Sequence, residues 1–306
     1  MTIELEALRR QIAEGILVFP ATPFRPDGAL DPGGLEAHVA FLVQQRPSAL
    51  VAAGGAGEFF SLSLEEQKKV VQATVRHSAG VPVIAGVGYG AAIACELARS
   101  AEQAGAAAVM LLPPYLVRAE QEGLFHHIRA VCEATAIGVM PYSRDNGVIE
   151  PDTLLRLADR CPNLIGVKDG TGDLEALLSL KVRAGERLTV VNGVPTAEVL
   201  AMQARAIGVM SYSSAVFTFL PALARRFYEA VSRQDTDYAN AMLRKFYFPL
   251  VELRRRKRGY AVSLVKAGLR VVGKPAGPVR PPLMDLEPEE EAILAGLITE
   301  AEEWSA

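Results

Sequence analysis

The chain has 306 residues, of which 50% are hydrophobic and 22% charged, and its net charge of −3 gives no general attraction to nucleic acid. No apolar run reaches the roughly 20 residues that a membrane-spanning helix needs, and the opening stretch MTIELEALRRQIAEG carries acids where a secretory signal has a basic and then an apolar block. Three widely spaced cysteines, Cys95, Cys132 and Cys161, suit neither a disulfide framework nor a zinc knuckle, so the chain reads as a reduced, cytoplasmic enzyme of small molecules.

In chain order, Ile3, Leu5, Leu8 and Ile12 have the spacing of an amphipathic helix. Eight short apolar runs follow: GILVFP from 15, ALVAAGG from 49, VPVIAGVG from 81, AAVMLLPP from 107, AIGVMPY from 136, LIGVKDG from 164, LTVVNG from 188 and IGVMSYS from 207. Continuous apolar runs predict strands covered on both faces, as in a parallel sheet whose crossovers are helices. The segments between them have helical grammar. Residues 63–78 open with a Ser63/Glu66 capping box, and residues 173–184 begin at an acidic cap and stop at Gly185.

Eight strands alternating with helices predict an α/β fold, a (β/α)8 TIM barrel from residue 15 to about 233. A doubly wound open sheet is the rival, but FPATPF stands where a glycine-rich nucleotide fingerprint would follow the first strand. Beyond residue 234 only helical segments remain, so residues 1–233 are expected to form the barrel with its N-terminal helix, and 234–306 a helical extension packed on it.

Barrel active sites lie at the C-terminal ends of the strands. The residues there are Thr22, Gly54 to Glu58, Tyr89, Tyr115, Tyr142, Lys168, Asn192 to Thr196 and Ser211 to Ser214. Lys68, Lys69, Lys181, Lys245, Lys257 and Lys266 fall in helical segments and Lys274 in a loop, so Lys168 alone of the lysines ends a strand. Apolar surroundings penalise its charged form and free the amine to attack a carbonyl. The competing role is an ion pair with Asp169 or Glu58.

Tyr142 closes the neighbouring strand, as a proton shuttle or as an aromatic lid. In the GGAGE loop, small residues let the backbone N–H groups of Gly55, Ala56 and Gly57 approach a substrate carboxylate, although a tight turn also calls for glycine. The four histidines fall in helical stretches and His126 and His127 point apart, so no metal site is expected. The basic run RRRKR at 254–258 reads as a solvated helix face or a subunit contact in preference to a phosphate or nucleic-acid site.

The order of TPF at 22–24, GGAGEFFSLSLEEQ from 54, VIAGVG from 83, PPYLVRAEQEGL from 113, Tyr142 and GVKDGTGD from 166 resembles the dihydrodipicolinate synthase and N-acetylneuraminate lyase family over nearly the whole chain. The resemblance implies a class I, Schiff-base-forming barrel with a C-terminal helical extension. It makes Lys168 the imine-forming lysine and Tyr142 the strand-five tyrosine, and puts the carboxylate of a 2-oxo acid on Gly55 and Ala56. It also implies a homo-oligomer, dimer or tetramer, that needs no metal or organic cofactor.

Two departures argue against the synthase activity. Gly55-Ala56 stands where synthases usually have Thr-Thr, and Leu116 where they have a tyrosine reaching across the dimer. The set AAGGAGEFFSL, GYG, PYSRDN, VKDGTGD and SYSSAVF resembles most the decarboxylating 5-dehydro-4-deoxyglucarate dehydratase branch, with Ala56 in place of that branch's threonine. The substrate implied is a six-carbon keto-diacid, with Arg144 on its distal carboxylate and Gly193, Thr196 and Ser213 among the substrate contacts. The alternatives are a 2-keto-3-deoxy acid aldolase of the same family and a non-catalytic nucleic-acid-binding sensor built on residues 254–258.

Overall fold

Each of the eight apolar runs forms a strand in the computed structural model, which describes residues 4–114 and 116–305. Helix α1 (Leu5–Ala13) leads into β1 (Glu14–Val18) and α2 (Pro32–Gln44), followed by β2 (Ala49–Ala52), α3 (Leu64–His77), β3 (Val83–Val87), α4 (Ala91–Gln103), β4 (Ala108–Leu111) and α5 (Gln121–Ala134). The alternation continues through β5 (Gly138–Ser143), α6 (Pro151–Arg160), β6 (Gly166–Asp169), α7 (Leu174–Ala184), β7 (Thr189–Asn192), α8 (Ala201–Ala206), β8 (Met210–Ser214) and α9 (Pro221–Arg233). Neighbouring strands are parallel and β8 pairs with β1, so the sheet closes into a TIM barrel.

The runs are apolar throughout because each strand is buried on both faces. Leu17, Val51, Ile84, Met110, Met140 and Val191 fill the barrel interior, while Val18, Leu50, Ala52, Ala85 and Val109 pack outward against the helices. Fully burying one such aliphatic side chain is worth about 1.5–3 kcal/mol, so both layers stabilise the closed sheet. Leu8 and Ile12, one helical turn apart on α1, join the interior cluster. The Thr189 hydroxyl at the start of β7 donates to Arg9 O, so α1 closes the barrel at the N-terminal ends of the strands and leaves the other end open.

The expected caps form. Ser63 and Glu66 make a reciprocal box, with Glu66 N donating to Ser63 Oγ at 3.2 Å and Ser63 N to Glu66 Oε2 at 2.9 Å, and Asp173 accepts from Ala176 N at 3.0 Å.

After α9 come α10 (Thr236–Met242), a π-helical turn (Leu243–Tyr247), α11 (Phe248–Arg255), α12 (Tyr260–Val271) and α13 (Pro288–Ser305). Lys257 is not helical as expected; it lies in the turn between α11 and α12. Helix α13 packs on α9, α11 and α12, and α12 packs on the 3-10 turn that follows β8. Among the described residues no helix is long and apolar enough to cross a membrane.

Two ion-paired links tie the C-terminal segment to the barrel, one from α12 to the loop after β2 and one from the connection between α12 and α13 to the start of α3. Lys266 of α12 and Glu58 are both fully buried and meet at 2.6 Å. Lys266 Nζ also donates to Pro278 O at 2.7 Å, and Arg280 N donates to Glu58 Oε2 at 3.0 Å. The Arg280 guanidinium grips both oxygens of Glu66, at 2.8 and 2.6 Å.

Candidate active site

The strand register sets the centre of the site. Tyr142 of β5 is level with Lys168 of β6, and Lys168 with Val191 of β7, so the tyrosine and the lysine stand side by side at the open end of the barrel. Lys168 Nζ lies 3.4 Å from the centroid of the Tyr142 ring and 5.5 Å from that of Phe19. Both polar tips donate to one acceptor, the carbonyl of Gly193, Lys168 Nζ at 3.1 Å and the Tyr142 hydroxyl at 2.8 Å. Position 193 must be glycine for this arrangement: a Cβ there would come within 2.5 Å of Lys168 Nζ.

Neither ion pair weighed for Lys168 is formed. Glu58 is engaged by Lys266, and the Asp169 carboxylate accepts from Thr171 Oγ1 at 2.8 Å and Gly172 N at 2.9 Å. Burial holds the Lys168 pKa well below the ordinary lysine value, the nearby charge of Arg144 lowers it further, and Asp169 opposes the shift. The shift favours the neutral amine, the form that attack on a carbonyl requires.

Burial pushes the Tyr142 phenol above its ordinary value, against the pull of Arg144. Arg144 Nη1 donates to the Tyr142 hydroxyl at 3.0 Å, its Nε donates to Asp145 at 2.6 Å, and its guanidinium carbon lies 5.4 Å from the Tyr142 ring centroid. A polar chain thus runs from Asp145 through Arg144 and Tyr142 to the carbonyl shared with Lys168.

A cavity of about 650 Å³ opens over this centre. Gly55, Ala56, Arg144, Gly193, Thr196 and Ser213 all line it. The N–H groups of Gly55 and Ala56 have no hydrogen-bond partner among the described residues, which leaves two adjacent donors for an anion. Gly57 is the exception and does not line the cavity. Its carbonyl accepts from Thr22 Oγ1 at 2.7 Å, and it packs against Pro20 beneath the loop, so its small size serves close backbone packing.

Of the other strand-end candidates, Tyr89 stacks on Phe59 with centroids 5.0 Å apart, away from the cavity. Tyr115 lies outside the described residues. No group of three His, Cys, Asp or Glu side chains among the described residues is arranged to hold a metal ion.

Two cavity residues were not expected from the sequence. Glu198 follows β7 and is 1% exposed. Its Oε1 accepts from Ser214 Oγ at 2.5 Å, its Oε2 has no partner among the described residues, and burial raises its pKa to about 7. Arg254 of α11 corrects the reading of the basic run, because its side chain lines the cavity and donates to Thr196 Oγ1. A signal was present: Arg254 falls one helical turn after Leu250, which is buried and lines the same cavity.

The barrel, the strand-six lysine and the strand-five tyrosine together narrow the comparison with known proteins. Residues 12–301 match the model of the dihydrodipicolinate synthetase family. The chain belongs to this family. Its match covers both the barrel and the C-terminal helices. A family relative from Rhizobium rhizogenes named "Probable 5-dehydro-4-deoxyglucarate dehydratase" is 51% identical over 294 residues, 96% of this chain and 97% of the relative. One of the same name from Saccharopolyspora erythraea is 51% identical over 290 residues, 94% of each chain.

Among solved structures of the family, dihydrodipicolinate synthase from Bacillus clausii superposes with a TM-score of 0.88 at 29% identity, covering 96% of this chain and 99% of that one. The synthase from Oceanobacillus iheyensis, at 24% identity, shares the fold with a TM-score of 0.89 over 98% of this chain and 100% of its own.

Proposed function

We propose that the chain is a decarboxylating dehydratase that converts 5-dehydro-4-deoxy-D-glucarate to 2,5-dioxopentanoate, carbon dioxide and water through an imine on Lys168. The observation that carries this reading is the buried lysine amine, free of any ion pair and set beside the Tyr142 hydroxyl on a shared carbonyl. The name borne by relatives 51% identical over nearly the full length supports the choice of substrate.

Lys168 adds to the C5 ketone, and the carbinolamine loses water to give an iminium. The backbone donors of Gly55 and Ala56 hold the adjacent C6 carboxylate. The iminium acidifies C4; a proton leaves C4, and the C3 hydroxyl departs as water once protonated. In the conjugated iminium that results, the C1–C2 bond breaks, its electron pair flows through C3 and C4 to the nitrogen, and C1 leaves as CO2. Protonation at C3 and C4, conversion of the C2 enol to an aldehyde and hydrolysis of the imine return the free amine. The water released on imine formation is consumed in that hydrolysis, so one CO2 and one water are released per turnover.

Tyr142 is the proton relay, with Arg144 fixing its hydroxyl. The iminium is the electron sink, so the steps call on no metal or organic cofactor. The working form is a cytoplasmic homo-oligomer on this reading; Leu116, 96% exposed, stands at the cavity rim where synthases carry the tyrosine that crosses to a partner.

The products test the assignment. Purified protein given the keto-diacid is expected to release one CO2 per substrate and a semialdehyde that an aldehyde dehydrogenase oxidises. Pyruvate without CO2 would replace the dehydratase with the aldolase.

A further inference from the structure

A keto-diacid has two carboxylates, and this inference rests on the preceding reading of the substrate. The Gly55 and Ala56 donors serve the carboxylate next to the carbonyl, which leaves the remote one without a partner. Three cations line the cavity, Lys168, Arg144 and Arg254. Lys168 is reserved for the carbonyl. Arg144, the residue expected from the sequence, is already engaged: Asp145 offsets its charge at 2.6 Å, and a second donor is held by the Tyr142 hydroxyl.

Arg254 differs. It has no carboxylate within ion-pair distance among the described residues, and its one hydrogen bond goes to the neutral Thr196 hydroxyl. Its neighbours Arg255 and Arg256 are exposed, whereas Arg254 is half-buried at the cavity wall, where burial and the Arg255 charge lower its pKa. A partly desolvated guanidinium without a counter-charge is unfavourable unless an anion arrives. Glu198 is the acid that acts on it; burial raises that carboxyl's pKa to about 7 against the Ser214 hydrogen bond and the Arg254 charge, which lower it, so at neutral pH it offsets the arginine charge only in part.

Two further observations agree. Thr196 is a β-branched residue held in the left-handed region at φ 57°, a strained state that persists where the surroundings impose it, and it lines the cavity with Arg254 on its hydroxyl. Arg254 is carried by α11 and not by a strand end, so it meets the cavity beside Thr196 and Leu250 from a different element than Lys168 and Arg144, as a contact for the remote end of a six-carbon chain requires.

We propose that Arg254, with the Thr196 hydroxyl it holds, binds the carboxylate remote from the carbonyl and so selects six-carbon 2-oxo diacids over 2-oxo monocarboxylates. That carboxylate loses its charge when it leaves as CO2, so the contact stabilises bound substrate more than the decarboxylation transition state. The loss on removing it should therefore fall on KM and not on kcat.

The test uses the full-length protein and two probes, 2-oxoadipate and pyruvate, trapped on Lys168 with borohydride. Arg254→Gln is expected to raise the half-saturating concentration of 2-oxoadipate about 10- to 100-fold, the scale of one charge-assisted hydrogen bond, with pyruvate unchanged and Arg254→Lys intermediate. KM for 5-dehydro-4-deoxyglucarate should rise in parallel. No change with 2-oxoadipate, or equal losses for both probes in both variants, overturns the assignment. Failure of the wild-type protein to turn over the keto-diacid would instead count against the dehydratase, since 2-oxoadipate trapping reports the Arg254 contact independently of turnover.

Discussion

At the scale of single residues, the site depends on one hydroxyl and one amine that share a carbonyl. Tyr142→Phe keeps the ring beneath Lys168 Nζ and removes only the proton donor. Turnover is expected to fall by about two to four orders of magnitude, the usual range for a positioned acid or base, with KM little changed. Steady-state kinetics on the folded variant decide it; near-wild-type kcat returns Tyr142 to the role of a lid.

Lys168 and Tyr142 were legible in the sequence because each ends an apolar run, and a barrel brings all such ends to one face. Glu198 was not legible, and Arg254 was marked only by its spacing from Leu250. Composition shows that the segment carries charge, but which of five consecutive basic residues turns inward depends on how α11 lies against the barrel. Gly57 misled for the opposite reason, since a glycine required by close backbone packing looks the same in sequence as one required by a ligand.

At the scale of elements, the loop after β2 is held from behind by the buried Lys266–Glu58 pair, which joins it to α12. Glu58 is itself in the left-handed region at φ 55°, so the loop's shape depends on that anchor. Lys266→Met leaves a buried carboxylate without its partner and is expected to destabilise the protein by about 3–5 kcal/mol. Adding Glu58→Gln to the same chain should recover part of the loss. Urea unfolding of the single and double variants measures both, and a single variant as stable as the wild type would show that the pair does not hold the loop.

The strands themselves were readable because burial on both faces leaves no polar alternation to obscure them. The break of the helical run into α10, a π-helical turn and α11 was not, because a one-residue shift in the hydrogen-bond ladder leaves the apolar spacing nearly unchanged.

At the scale of the whole molecule, the C-terminal helices do more than pack on the barrel. Leu250, Arg254, Ala261 and Val265 line the cavity, so α11 and α12 form the wall that faces the barrel mouth. On the proposed reading chemistry and binding are thereby divided: the strand ends supply the amine and the proton relay, and the helices supply apolar cover and the third cation, Arg254. Sequence periodicity marks both parts but not the surface at which they meet.

The central claim is that an imine on Lys168 carries the dehydration and decarboxylation. Borohydride added during turnover of 5-dehydro-4-deoxyglucarate, followed by peptide mass spectrometry, tests it most directly. Burial lowers the pKa of Lys168, so trapping is expected to persist to lower pH than for an ordinary lysine and to be lost as pH falls through that lowered value. The expected result is a reduced adduct, of the six-carbon substrate or its five-carbon product, on the peptide containing Lys168, and no adduct in a folded Lys168→Ala variant. An adduct of the same mass on another lysine, or one that persists in Lys168→Ala, would contradict it.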